Sequence, residues 1–318
     1  AGSGLQFHLS LDSMSLSYGA EDIAAAIIEN APTDAALIRT GSRGLFHLEP
    51  ILEIEIEGKR IGFGPLVSTD VSSVISAIER GESDSHPKFF GAIESLPEFA
   101  SQTRLAMSRM GVCDPLNLDS MKQNGAYVGL DAARRGGAEF VLSELKNAGL
   151  RGRGGAGFPT HFKWSAAATE ESAVKHVVAN ADEGDAGTFI DRMIMEGDPH
   201  ALIEGMLICA ETIGANQGWI YLRSEYPEAK LIMQSAINSA RNAGYLGENT
   251  GFDITIANGA GSYVCGEETA LLESLEGRRG EVRARPPYPT TSGLFGKPTI
   301  VNNVLTFALA AAVLREGS

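Results

Sequence analysis

The spacing of apolar and polar positions changes along the chain, and the changes divide it in three. Near the start, Leu5–Ser10 predicts a strand, Glu21–Glu29 an amphipathic helix, and Ala36–Arg39 a second strand. Leu52-Glu53-Ile54-Glu55-Ile56-Glu57 then alternates strictly, which is the period of a half-buried strand. Glu57-Gly58-Lys59-Arg60 turns the chain into a strand at Arg60–Gly64, and Asp70–Glu79 returns to helical spacing. Residues 1–80 thus read as a small β-α-β-β-β-α unit. Residues 81–100 carry Gly, Glu, Ser, Asp, Pro and Lys without a period and are expected to form a linker.

From residue 101 onward helix and strand alternate. Helices are predicted at Ala138–Ala148, Pro159–Ala168, Ala201–Gly214, Pro227–Ala243, Glu268–Leu275 and Thr306–Leu314. Strands are predicted at Lys175–Ala179, Trp219–Arg223 and Phe252–Ala257. Such alternation gives an α/β fold with a mostly parallel sheet.

Composition sharpens the picture at one point. The chain holds 37 glycines in 318 residues, about 12% against a usual value of about 7%. They gather at 152–157, 184–187, 259–266 and 293–296, the mark of backbone that turns sharply or approaches a ligand closely. A net charge of −14 argues against a nucleic-acid partner, which would want a basic face. No stretch approaches the roughly 20 apolar residues of a membrane span, and no signal peptide opens the chain, so a cytoplasmic location is expected. Cys113, Cys209 and Cys265 lie far apart without a CxxC, and no iron–sulfur cluster can be built from them alone.

Three loops carry candidate chemistry. Gly152, Gly154 and Gly157 fit G-x-G-x-x-G around Arg153 and Gly155, where backbone N–H groups can close on a phosphate. A helix rather than a strand is predicted before it, unlike a dinucleotide fingerprint. A glycine-rich tight connection is the plain alternative, whereas Arg151, Arg153 and Lys163 favour an anion. Phe158 is either core or an aromatic wall. The turn Asn180-Ala181-Asp182-Glu183-Gly184-Asp185 places three carboxylates at a strand's carboxyl end, suited to ribose hydroxyls or an amide; a solvated polar turn is the alternative. The loop Gly259–Glu268 lies between strand and helix. There Tyr263 and Gly266 flank a ligand or the core, Cys265 reads as a buried small residue, and Glu267 and Glu268 suit a helix N-terminus. Asn302 and Asn303 read as helix caps or as amide ligands.

Each loop alone is modest, but their order is specific. Gly-Leu-Arg-Gly-Arg-Gly-Gly-Ala-Gly-Phe-Pro-Thr (149–160), Asn-Ala-Asp-Glu (180–183), Gly-Ser-Tyr-Val-Cys-Gly-Glu-Glu-Thr-Ala-Leu (261–271), Ser-Leu-Glu-Gly (274–277) and Gly-Lys-Pro-Thr-Ile-Val-Asn-Asn (296–303) occur in one chain. Together, over roughly residues 100–318, they resemble the 51 kDa-type FMN- and NADH-binding subunit of respiratory complex I. Its relatives include NAD-reducing hydrogenases and NAD-dependent molybdenum or tungsten formate dehydrogenases.

The resemblance implies a Rossmann-like domain at 101–318 with FMN held by Gly152, Gly154, Lys163, Asn180, Tyr263, Glu267, Asn302 and Asn303. It implies that Phe158, Glu183, Asp185 and Glu268 face NAD(H), with Glu183 and Glu268 orienting the nicotinamide for hydride transfer. Departures fall on the nucleotide side: Asp185 where family members often have Glu, Ala166 for an aromatic, Arg285 for Lys and Tyr288 for Phe. Residues 1–80 resemble a thioredoxin-like [2Fe–2S] domain without its cysteines, with Gly41–Phe46 in place of a ligand-bearing loop. That is most like the beta subunit of NAD-dependent formate dehydrogenases; complex I and hydrogenase membership are the rivals. Implied partners are a thioredoxin-like [2Fe–2S] small subunit and a metal-containing catalytic large subunit. Family members continue into a β-grasp domain and a four-cysteine [4Fe–4S] domain whose ligands this sequence lacks, so either the chain is a fragment or another polypeptide supplies them. A flavin-free scaffold, or an NAD-dependent dehydrogenase without flavin, is the reading from other classes.

Overall fold

The computed structural model describes residues 4–56 and 58–318. It divides into two compact units, one ending at Asn117 and the other beginning at Leu118.

The first unit is built on five strands: β1 (Gln6–Ser10), β2 (Ala36–Thr40), β3 (Leu52–Ile56), β4 (Lys59–Phe63) and β5 (Phe89–Ala92). Their order is β2-β1-β3-β4-β5, with β1 and β2 parallel and the other pairings antiparallel. Helices α1 (Ala20–Asn30) and α2 (Val71–Glu79) bring Ile23, Ile27, Val74 and Ile78 onto Phe7, Leu9, Leu52, Ile54 and Phe63 in one core. This is the β-α-β-β-β-α order read from the sequence, with β5 added at the sheet edge.

Two expectations are corrected here. Residues 81–100 are not a bare linker: Phe89–Ala92 is an edge strand paired to β4, its apolar pair Phe89-Phe90 too short to show a period. Glu53, expected on the wet face of β3, is buried, because Arg43 (2.7 and 2.9 Å) and Arg60 (2.9 Å) fold their guanidinium groups over it. Glu57, the last residue of the predicted alternating run, lies outside the described residues.

In the second unit a short helix at Leu118–Gln123 precedes α3 (Val128–Asn147), which is kinked at Gly137 (φ 77°) and followed by α4 (Thr160–Thr169). The two glycines at 136–137 hide the first half of α3 from sequence reading, so the predicted helix began only at Ala138. After β6 (His176–Ala181) come α5 (Ile190–Gly197), α6 (Pro199–Ile213), β7 (Gln217–Leu222), α7 (Pro227–Asn242), β8 (Asp253–Asn258), α8 (Glu268–Leu275), β9 (Thr299–Asn303) and α9 (Val304–Glu316). All four strands are parallel, in the order β8-β7-β6-β9. Helices α3, α6 and α9 pack on one another, with α6 and α9 against β6. A second core joins Val178, Tyr221 and Val301 of the sheet to Leu271 and Leu272 of α8. Helix α6, read as apolar on one face, is buried almost all round because α3, α5 and α9 enclose it.

The sheet order decides where a ligand can sit. The chain winds from β6 outward to β7 and β8, then returns to place β9 on the other side of β6. The strand order reverses at β6, and the crevice beyond the carboxyl ends of such neighbours is where open α/β sheets bind ligands. Asn180, next to last in β6, lies beside Asn303 at the end of β9, in register.

Candidate functional site

At that edge a cleft of about 730 Å³ opens. One wall is the glycine loop. It is not a strand-to-helix turn: α3 precedes it, and an antiparallel bridge between Arg151 and Pro159 closes it as a hairpin-like loop. Gly152 N–H donates to the Phe158 carbonyl (2.9 Å) and Arg151 Nε to the Gly157 carbonyl (2.6 Å), which holds the loop shut at its base. Gly155 (φ 105°) and Gly157 (φ 62°) take backbone that a side chain would strain. Arg153 N–H is spent on the Thr306 hydroxyl (2.9 Å), and its side chain is exposed outside the cleft lining.

The floor comes from the strand ends. Asn180 donates through Nδ2 to the Gly266 carbonyl (2.8 Å) and accepts from Asp182 N–H (3.1 Å), tying the acidic turn to the second glycine loop. Asn302 is buried; with its amide turned to satisfy its neighbours it donates to the Val301 carbonyl (3.0 Å) and accepts from Trp164 Nε1 (3.0 Å). Asn303 lines the cleft and donates to Asp191. Lys163 on α4 reaches the Val301 carbonyl (2.6 Å) and Glu268 (2.7 Å), and Arg285 holds the other oxygen of Glu268 (2.9 Å). Glu268 therefore sits between two cations. Glu267 behaves as the helix cap its position allows: its carboxylate accepts from Thr269 N–H (2.8 Å) and Ala270 N–H (2.9 Å). Phe158, Phe162 and Tyr288 stand exposed around the mouth.

The acidic turn divides its three carboxylates. Asp185 is exposed and accepts from the Tyr263 hydroxyl (2.6 Å), and Tyr263 lies so close to Gly184 that a Cβ there would meet its ring at 2.8 Å. Asp182 is half-buried, and burial raises its carboxyl above the usual range despite nearby Arg223. Glu183, expected to face both ring systems, is instead buried: it accepts from Asp191 N–H (2.9 Å), Arg192 N–H (3.2 Å) and the Tyr226 hydroxyl (3.1 Å), closing the first turn of α5. Burial and Glu183 together raise the Tyr226 phenol.

Of the residues singled out from sequence, Gly152, Gly154, Phe158, Lys163, Asn180, Gly266, Glu267, Glu268, Asn302 and Asn303 line the cleft. Arg153, Gly155, Asp182, Glu183, Asp185 and Tyr263 lie outside its lining. Cys265 is buried, as a small core residue should be. Sequence reading passed over β9, although Thr299-Ile300-Val301 is a β-branched run, and Asp191, whose place beneath the floor is visible only in three dimensions.

The sequence profile of the Nuo51 FMN-binding domain matches residues 145–312. The chain belongs to that family. It is 45% identical over 230 residues to an NADH-quinone oxidoreductase subunit of Aquifex aeolicus (strain VF5), covering 70% of this chain and 54% of that protein. It is 46% identical over 222 residues to the HndC subunit of the NADP-reducing hydrogenase of Solidesulfovibrio fructosivorans, covering 68% of this chain and 45% of that one. A solved NAD+-reducing [NiFe]-hydrogenase in the air-oxidized state is similar at a TM-score of 0.57 and 31% identity, over 99% of this chain and 53% of that chain. The chain thus spans about half the length of these members and relatives of the family. The family match takes in the glycine loop, the acidic turn, the second glycine loop and β9, so the cleft is the part of the molecule that carries membership.

Proposed function

We propose that the chain is the flavin-bearing, NAD(H)-reactive module of a larger oxidoreductase. The observation that carries this is the convergence of the glycine loop, Lys163 and the carboxylates of Glu267 and Glu268 on one crevice at the sheet's reversal point. The residues present fit FMN: the cleft volume of about 730 Å³ lies within the roughly 300–1,000 Å³ usual for cofactor sites, and the loop lines it with Gly152, Gly154, Ala156 and Gly157, none larger than alanine. FMN, when bound, supplies exchange of a hydride with a nicotinamide and of single electrons with iron–sulfur partners.

The remaining work belongs to the protein. The loop 152–157 and Lys163 hold the phosphate end by backbone dipoles and one formal charge. Asn180 and Tyr263 bind Gly266 and Asp185 to each other's loops, fixing the far wall. Glu268, and Glu183 through the turn it anchors, orient the nicotinamide, while Phe158 and Asp185 meet the rest of the dinucleotide; Tyr288 and Arg285 modify contacts on that side. The chain works in the cytoplasm, where these coenzymes are found.

Within the family we favour the beta subunit of an NAD-dependent formate dehydrogenase, with electrons arriving through iron–sulfur clusters of partner subunits. The support is the first unit. The short helix after β1 and the loop after β2 carry Ser15 and Ser42 hydrogen-bonded to Glu49 (2.5 and 2.8 Å), not cysteines. An NAD-reducing hydrogenase diaphorase is the second reading, favoured by the similarity to the hydrogenase over both units. The purified chain is expected to bind FMN and to show a flavin spectrum that bleaches with NADH; a colourless protein that takes up no FMN rejects the proposal. Metal analysis of the native complex then separates molybdenum or tungsten from nickel.

A further inference from the structure

Beneath the cleft floor lies a carboxylate outside every motif. Asp191 is 3% exposed. Its Oδ1 accepts from Leu305 N–H (3.2 Å) in the first turn of α9, and its Oδ2 accepts from Asn303 Nδ2. Asn303 is the N-cap of α9 but makes no capping bond of its own, so Asp191 closes that turn in its place. The other amide atom, Asn303 Oδ1, is buried and without a hydrogen-bond partner. Asn303 also abuts the glycine loop: a Cβ on Gly154 would meet its Cβ at 3.4 Å. On the far side Glu183 accepts from Asp191 N–H and the Tyr226 hydroxyl.

The charged groups around this carboxylate come from four directions. Glu183 lies in the loop after β6 with Arg223 donating to its carbonyl; Arg192 and Glu196 pair along α5; Tyr226 precedes α7; and Lys163, on α4, is bound to the β9 carbonyl at Val301. Arg192 and Lys163 have carboxylates of their own, in Glu196 and Glu268. Burial, then repulsion from Glu183, raises the Asp191 carboxyl to about 7.

We infer that Asp191 is a positioning residue of the flavin cleft: ionised, it ties up the Asn303 amide nitrogen and brings negative charge to the glycine-loop end; protonated, it frees both, so that end takes an anionic flavin more tightly. The protonated carboxyl is itself a donor and can bond Asn303 Oδ1, which turns the amide nitrogen toward the loop as a phosphate donor. The inference rests on the flavin reading above.

The test titrates the flavin-stripped chain with FMN and with riboflavin, following quenching of flavin fluorescence from about pH 5.5 to 8.5. Phosphate ionises at about pH 6 in both proteins compared, so the difference between wild type and Asp191→Asn isolates the side chain. Wild-type affinity for FMN should fall about tenfold more steeply with rising pH than that of Asp191→Asn, with riboflavin insensitive in both. Identical FMN profiles for the two proteins overturn the inference. If Asp191→Asn does not fold, Glu183→Gln decides. Removing the neighbouring charge should move the wild-type midpoint to lower pH, and an unmoved midpoint overturns the idea. A wild-type chain that binds neither flavin at any pH overturns the flavin reading, and this inference with it.

Discussion

At the scale of single residues, the cleft is held by a few charges that each serve two partners. Lys163 bridges the β9 carbonyl at Val301 and Glu268. Replacing it with Met keeps the length and removes the charge-assisted bonds, worth about 1.5–3 kcal/mol each. FMN affinity should fall by at least about tenfold while the fold survives, as fluorescence titration and circular dichroism would report. In the first unit Glu49 is raised to about 7, by burial first and by Asp12 besides, against the bonds from Ser15 and Ser42. The folded chain then binds an extra proton between about 4.5 and 7 that the unfolded chain has released. Stability from this group is present at low pH and lost as pH rises through 7, on the order of 3 kcal/mol. His8 works oppositely. Burial, with Arg60 and Arg43 nearby, lowers it to about 3, so its contribution is lost as pH falls below 6.5. Glu49→Gln should flatten the decline in the denaturant midpoint of the first unit between about pH 5 and 8; an unchanged slope would show that Glu49 does not titrate there. These residue roles were the least legible from sequence. Motif order named Lys163 and Glu268, but nothing linear says that Glu183 turns inward to cap α5 or that Asn302 is spent on Trp164.

At the scale of elements, the spacing of apolar residues located most strands and helices, and it failed where glycine or shortness broke the period. Residues 128–137 escaped because Gly136-Gly137 reads as a break, β5 because its four residues show no alternation, and β9 because Thr299-Ile300-Val301-Asn302-Asn303 does not alternate. Close helix contacts are equally invisible in one dimension. Gly205 on α6 meets α9 so closely that a Cβ would lie 2.1 Å from the Phe307 carbonyl oxygen, and Gly129 on α3 would place one 2.5 Å from that of Ala311. Both obstacles are backbone, which cannot swing aside. Gly205→Ala should push α6 off α9 and cost about 1–3 kcal/mol, read as a lower thermal midpoint. Flavin affinity should weaken too, since α9 carries the Asn303 cap; wild-type stability in this variant would show that the contact relaxes freely. The buried Glu204 on α6 accepts from Tyr127 N–H (2.9 Å) and Leu130 N–H (3.0 Å), capping α3 from a neighbouring helix. Glu204→Ala leaves those donors buried without it and should destabilise by about 1–3 kcal/mol.

At the scale of the whole molecule, the α/β class with a mostly parallel sheet was implied by the alternation and the family resemblance, whereas the strand order was not. The boundary was not: the first core extends its sheet through residues 89–92, and the first unit ends at Asn117. Each unit has its own core, so heat should resolve two transitions, and only the second should respond to cofactor. At a free FMN concentration about a hundred times the dissociation constant, the second unit should gain about 2.7 kcal/mol and the first nothing; equal shifts in both would argue against a site confined to residues 118–318. Among the described residues no helix is long and apolar enough to cross a membrane. The placement of β9 beside β6 carries a further consequence for biogenesis. The two strands that flank the crevice are about 120 residues apart in the chain, so a ribosome has finished nearly all of the second unit before the seat for the cofactor can exist. Non-local pairing of this kind closes slowly. Until it does, Asn180 and the acidic turn stand at an open sheet edge, so flavin starvation should leave its mark as aggregation of newly made chains before any loss of catalytic rate in those already assembled.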